Sequence, residues 1–225
     1  MAKDSMKSPQ IQGGSYDCFP PGSISQVTRQ KFEIYTDRLV HWQKVKNLVS
    51  HSSMQHVWKR HFLDSFQVQA CAPSARIWAD LGSGAGFPGL VTAILLSETV
   101  GSCVHLIESD HRKCAFLREV SRETGAAAEI HHGRIESVLP TLGPDIEAIS
   151  ARALAPLSDL IGMAAHLLLK GAVGIFPKGQ DVAAELTDLA MDSRFAIDLV
   201  PSATDSHARV AIVRAASSYL GQVRA

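Results

Sequence analysis

The chain has only four cysteines in 225 residues, and no two of them form a Cys-x-x-Cys pair. Cys18, Cys71, Cys103 and Cys114 are scattered, with neither disulfide-framework nor zinc spacing. Free thiols in a reducing compartment are therefore expected, and no metal site. A net charge is also missing: 22 Lys and Arg balance 22 Asp and Glu, so no global charge points to a polyanionic partner. No apolar run approaches the ~20 residues needed to span a bilayer, and the polar start has no apolar core of a secretory leader. These absences predict a soluble, cytoplasmic protein without a membrane partner, and nothing demands more than a monomer. The 46% hydrophobic content suffices for one sizeable core and a small appended helical part.

What is present centres on residues 76–110. Ile77 to Leu81 reads as a short strand buried on both faces, as in a parallel sheet. It contains Asp80 and runs into Gly82-Ser-Gly84-Ala-Gly86-Phe87-Pro88-Gly89. Glycines let the backbone turn tightly and approach a ligand closely, and Pro88 suits the first turn of a helix from Leu90 to Leu96. A second buried strand, Val104 to Ile107, ends in Glu108. An acid there is placed to accept the hydroxyls of an adenosine ribose. The unit reads as a nucleoside-binding half of an α/β sheet.

Two cofactor classes fit that unit. Gly84-Ala-Gly86-Phe-Pro-Gly89 matches the GxGxxG dinucleotide fingerprint and keeps an NAD-dependent oxidoreductase open. Asp80-x-Gly82-x-Gly84-x-Gly86 resembles motif I of the S-adenosylmethionine (SAM) methyltransferases, in which an acid and loop backbone meet a zwitterionic amino-acid group. The second match is the more complete, so Asp80, Gly82, Gly84, Gly86 and Glu108 are expected at a SAM site.

Along the chain, residues 1–24 read as a flexible tail, residues 25–70 as an N-terminal helical cap, and residues 71–225 as the methyltransferase domain. In the cap, Phe32, Tyr35, Leu39 and Trp42 recur at helical spacing. The segment from Gln26 to His61 holds seven Lys or Arg against Glu33 and Asp37. That local surplus, with Lys44, Lys46 and Arg60 as candidates, is either a solvated helical face or a surface for RNA phosphates. Beyond Glu108 the pattern predicts a helix over His111 to Thr124, capped by Asp110 and stopped by Gly125. Strands are expected at Ala128–His131, Ile146–Ser150, Ala172–Phe176, Phe195–Val200 and Val210–Arg214. With helices between, this predicts an α/β seven-stranded, Rossmann-like SAM-methyltransferase sheet whose last two strands form an antiparallel edge.

The segment after the fourth strand narrows the acceptor. Ser150-Ala-Arg152-Ala has neither the Asn/Asp-Pro-Pro-aromatic signature of base-amine methylation nor a cysteine nucleophile for cytosine C5. An acceptor that is already nucleophilic, such as guanine N7, needs mainly in-line positioning.

His61-Phe-Leu-Asp64-Ser65, Asp80 to Gly89, Glu108-Ser with Arg118, Gly133-Arg134-Ile135-Glu136, Ser150-Ala-Arg152-Ala and Lys178-Gly-Gln180 together resemble the bacterial RsmG (GidB) family. The likeness runs from about residue 30 to 215. It implies a SAM-dependent methyltransferase making 7-methylguanosine in the decoding region of 16S ribosomal RNA. The partner would be that RNA, the small ribosomal subunit or an assembly intermediate. By the matched motifs it implies SAM contacts at Gly82, Phe87, Ile135, Glu136 and Arg152. On the residues alone, Phe87 also reads as a staple for the next helix, Arg152 as an ion-pair partner of Asp80 or Asp145, and Glu136 as a helix-start acid. His61 and Asp64, three apart on one helix face, either brace the cap against the glycine loop or stand at the acceptor pocket. Lys178, past the fifth strand, is a candidate for an RNA phosphate or the guanine O6. Arg209 departs by one position from the family's usual arginine before the last strand, which leaves its RNA contact open. No residue is assigned as catalytic beyond the candidates Lys178, His61 and Asp64.

Overall fold

The computed structural model describes residues 16–189 and 192–217, the side chains of residues 16 and 187–189 excepted. Seven strands form one sheet in the order β3-β2-β1-β4-β5-β7-β6. They are β1 (Ile77–Leu81), β2 (Cys103–Glu108), β3 (Ala128–His132), β4 (Ala148–Ser150), β5 (Val173–Lys178), β6 (Phe195–Pro201) and β7 (Arg209–Ala215). The first five run parallel; β7 lies antiparallel between β5 and β6. Strand order reverses between β1 and β4, and a crevice at the carboxyl ends of these strands is where such sheets bind ligands.

Helices cover both faces. One face carries α1 (Gln26–Gln43), α3 (Asp64–Ala70), α4 (Gly89–Leu95) and α5 (His111–Thr124) over Trp78, Val104 and Leu106. The other carries α7 (Leu157–Leu168) over Ala79, Leu81, Ile107 and Ile149. The other α-helices of the described residues are α2 (His51–Met54), α6 (Ile135–Val138) and α8 (Val182–Leu189). No helix of the described residues is long and apolar enough to cross a membrane.

Local chemistry sets the boundaries. Ser25 caps α1 by accepting the Thr28 N–H at 3.0 Å. Asp110 Oδ1 accepts from the N–H groups of Arg112 and Lys113 at 2.8 and 3.1 Å, while Gly125 ends α5 at φ 61°, a left-handed conformation that favours glycine. The rest of the cap, from His51 to Ala70, is built in three pieces. Between α2 and α3, Trp58–Leu63 winds as a π-helix, the wider turn that often accompanies functional sites.

Two expectations about the N-terminal part change. Residues 1–15 of the proposed tail lie outside the described residues, but the tail's last stretch is packed. Phe19 is buried and meets Phe66 edge-on at 5.6 Å, and Ile24 is buried with it. Two apolar side chains of that size find the seam between α1 and α3, so the packed chain begins ahead of residue 25. The cap also shares its core with the sheet: Phe32, Tyr35 and Leu39 of α1 belong to the same apolar cluster as Leu90 and Phe116.

Candidate active site: two cavities joined at Arg152

The glycine loop is shaped by contacts under it and beside it. Gly86, at φ 90°, has no room for a side chain, because a Cβ would meet Tyr35 Oη and sit 2.8 Å from Leu90 Cβ. Tyr35 reaches there because its hydroxyl donates to the Ala85 carbonyl. A Cβ on Gly89 would fall 2.5 Å from Asp80 Cγ, so the carboxyl of Asp80 lies packed beneath the start of α4. Asp80 is buried and accepts from Ser150 Oγ at 2.6 Å through Oδ1. Its Oδ2 is buried against the backbone of Gly89 at the start of α4. Burial pushes this carboxyl up to about 6, against the lowering effect of Ser150. Asp80 is thus the brace of the loop and is sealed from any ligand in this conformation.

Glu108 does reach the surface of a cavity. Its Oε2 accepts from Gly84 N at 2.8 Å and its Oε1 from Asp110 N at 2.7 Å. Two backbone donors fix the carboxylate, which has lone pairs left for further donors. Around it is a cavity of about 380 Å³, bordered by Gly82, Gly133, Ile135, Glu136, Arg152 and Leu154. Gly82 is the loop glycine that meets this space. At φ 65°, with a Cβ position 2.7 Å from Leu154 Cδ1, it forms a cradle against Leu154 in which a side chain fits only if Leu154 shifts. Gly84 and Gly86, expected as ligand contacts, do not line the cavity; one binds Glu108 and the other makes room for Tyr35.

Phe87 packs with residues of the cap. Its ring is buried, stacked on Tyr35 at 5.1 Å and on His61 at 4.6 Å. This packing is that of the staple alternative. The partner of Arg152 is neither Asp80 nor Asp145. Its guanidinium pairs with Asp64 Oδ2 at 3.3 Å, donates to the Arg60 carbonyl at 3.1 Å and to His61 Nδ1 at 2.7 Å, and lies over Phe87 at 5.4 Å. His61 and Asp64 do share a face, and what they share it for is this arginine. With burial as the larger cause and the Arg152 charge as the next, His61 is lowered to about 3. The ring is neutral, with Nδ1 accepting from Arg152; Nε2 is buried without a hydrogen-bond partner.

Arg152 borders a second cavity of about 340 Å³ on the side of β5 and β7. Arg60, Asp64, Lys178, Glu185, Asp205 and Arg209 face it. Most of these charges are matched. Arg60 meets Asp205 at 3.3 Å, and Asp64 Oδ1 accepts from Thr204 Oγ1 at 3.1 Å. The Lys178 ammonium is held by Glu185 Oε2 at 2.8 Å and the Ala155 carbonyl at 3.0 Å, so it tethers the 152–156 loop. Arg209 donates to the carbonyls of Ser206 and Ala208. Between the cavities Ala153 adopts φ 52°, an uncommon conformation for a residue with a Cβ, and touches both.

Part of the basic surplus of the cap is matched by acids from elsewhere. Arg38 pairs with Glu119 and Glu123 of α5, and Lys46 with Asp110 at 2.6 Å. Lys46 is therefore a brace for the start of α5, whereas Lys44 is exposed. Tyr35, Leu154, Glu185 and Asp205 escaped the sequence reading as site residues. Helical spacing marked Tyr35 only as core, and nothing local marked the other three.

The family described as rRNA small subunit methyltransferase G matches residues 28–207. The "Ribosomal RNA small subunit methyltransferase G" of Methylorubrum extorquens (strain PA1) is 47% identical over 194 residues, 86% of this chain and 92% of its own. The protein of that name from Bradyrhizobium sp. (strain BTAi1 / ATCC BAA-1182) is 47% identical over 165 residues, 73% of this chain and 74% of its own. Among solved structures, the SAH-bound Podospora anserina methyltransferase aligns with a TM-score of 0.59 at 14% identity, covering 85% of this chain and 88% of that one. A Geobacter sulfurreducens methyltransferase aligns at 0.55 and 14% identity, covering 89% and 93%. At such identities the structural likeness speaks for the fold, which is that of the Rossmann-like SAM methyltransferases.

Proposed function

The chain belongs to the rRNA small subunit methyltransferase G family, and on that premise we propose that it methylates guanine N7 in 16S ribosomal RNA, with SAM as donor. The observation that carries the reading is the meeting of two cavities at Arg152 and Ala153, one a glycine-and-carboxylate cradle and the other lined by charged residues.

The first cavity fits the donor. Its volume is in the range of small-molecule sites, Glu108 offers a carboxylate to ribose hydroxyls, and the Gly82 cradle admits close approach of a ligand. Ile135 and Glu136 border the place for an adenine. When bound there, SAM supplies a methyl group on a positively charged sulfur. Asp80, Gly84, Gly86 and Phe87 act from outside the cavity by holding the loop in shape.

The second cavity fits an acceptor that needs no general base. His61 has its Nδ1 occupied by Arg152, and Asp64, Glu185 and Asp205 are each tied to a cation. A guanine N7 lone pair attacks without prior loss of a proton, so positioning carries the rate. Methylation at N7 leaves the base positively charged, in a cavity whose acids and cations are mutually paired. Arg60 and Arg209, at the rim, are the candidates for phosphate contact; Lys44, exposed at the end of α1, is a further one. Lys46 and Lys178 are assigned to bracing.

The test is transfer of labelled methyl from SAM to small subunits that lack the modification, followed by nucleoside analysis. Label in 7-methylguanosine of 16S RNA is expected. Label in another nucleoside or in protein overturns the acceptor.

A further inference from the structure

Away from both cavities, four side chains able to bind a metal meet on one face of the sheet. Cys103 and His105 alternate along β2, and Glu129 and His131 alternate along β3. The register pairs His105 with Glu129 and Ile107 with His131, so all four project to the side on which Ile107 packs. His105 lies three residues before Glu108, about 10 Å along the strand from the donor cavity.

The atoms converge. His105 Nδ1 and His131 Nε2 face each other at 3.0 Å. Glu129 Oε2 is 3.5 Å from the first, and Oε1 is 3.7 Å from the second. Ligand atoms of Cys103, His105 and Glu129 lie within 4.8 Å of one another. Two ligands bound at about 2.1 Å in tetrahedral geometry stand about 3.4 Å apart. His105 Nδ1 stands at 3.0 Å from His131 Nε2 and 3.5 Å from Glu129 Oε2, on either side of that value, and Glu129 reaches His131 through its other oxygen, so side-chain rotations would bring the donors onto one ion. Both imidazoles are mostly shielded, at 18% and 20% exposure, while Glu129 at 62% leaves an entry path.

We propose that Cys103, His105, Glu129 and His131 bind one divalent transition-metal ion of the zinc class. Two imidazoles, a thiolate and a carboxylate are a donor set that zinc and cobalt accept, whereas magnesium and calcium prefer oxygen alone. The spacing rules missed it because the ligands come in pairs from neighbouring strands, two residues apart within each. The ion ties the sheet-edge strand β3 to β2, just ahead of the Gly133–Glu136 segment that borders the donor cavity.

The test is titration of tag-free, metal-stripped protein with cobalt(II), followed by absorbance and calorimetry. The expected result is saturation at one ion per chain, with the visible bands of tetrahedral cobalt and an ultraviolet thiolate charge-transfer band. Cys103→Ser should remove the thiolate band. His131→Ala should weaken binding by at least about 100-fold, more than loss of an outer-shell partner costs. Both variants are compared with the parent for folding by circular dichroism in the absence of metal. A hydrogen bond between the two rings alone gives no saturable cobalt signal. That result, a missing thiolate band in the parent, or undiminished binding by well-folded His131→Ala overturns the site.

Discussion

Arg152 donates to His61 Nδ1 across 2.7 Å, and the same guanidinium pairs with Asp64 at 3.3 Å. One side chain just past β4 thereby holds two residues of the π-helix and α3 region and borders both cavities. Lysine cannot reproduce that fork. Arg152→Lys is expected to lower kcat/KM for subunit methylation by about 100-fold, as a misplacement near the reacting atoms does. Steady-state methylation assays check this, and near-parental activity would remove Arg152 from the site.

Two buried groups tie stability to pH in opposite senses. His61 is lowered from 6.5 to about 3, so between those values the unfolded chain binds more protons and stability rises with pH. Asp80 is raised from 3.8 to about 6, so in that window the folded chain binds more protons and stability falls as pH rises. In the parent the two slopes offset each other. Asp80→Asn removes the falling one, and its unfolding free energy should climb more steeply from pH 4 to 6 than the parent's. Denaturant melts at several pH values measure it; parallel profiles would contradict the assignment to Asp80.

Gly89→Ala should destabilise by about 1–3 kcal/mol, the range for overpacking, because the new methyl would strike the Asp80 carboxyl. Adding Asp80→Ala should recover part of that loss. A double-mutant cycle on thermal or denaturant unfolding reads the coupling; additive losses would show that the two residues do not touch.

Lys178→Ala is expected to weaken S-adenosylhomocysteine binding and RNA methylation together, since Lys178 tethers the loop through Ala155. A loss confined to RNA methylation would show that Lys178 reaches the RNA instead.

For the rim, Arg209→Ala should weaken subunit binding and reduce the slope of log K against log salt by about 1. Lys46→Glu should leave that slope unchanged and lower the melting temperature, because it sets two acids together at the start of α5. Filter binding across a salt series separates the two; a lowered slope for Lys46→Glu would return the lysine to the RNA surface.

Much of the fold was legible because its signals are local. β1 falls at Ile77–Leu81 as its apolar run predicts, and α5 runs from His111 to Thr124 because its caps, Asp110 and Gly125, carry distinctive chemistry. The glycine loop and Glu108 were legible for the same reason. What local patterns cannot convey is which distant residue fills a side chain's remaining valence. Phe87 follows a glycine loop whether its ring faces a ligand or, as here, Tyr35 and His61. The basic cap looked unpaired because Glu119, Glu123 and Asp110 lie more than 60 positions away. The π-helix at Trp58–Leu63 has no apolar period that separates it from an α-helix.

The most direct measurement is calorimetric titration with S-adenosylhomocysteine, run beside NAD, on the parent and on Gly82→Asp. The account predicts saturable binding of S-adenosylhomocysteine by the parent, no binding of NAD, and loss of binding in the variant, whose carboxylate would fill the cradle beside Glu108. Binding of NAD, or undiminished S-adenosylhomocysteine affinity in Gly82→Asp, would contradict it.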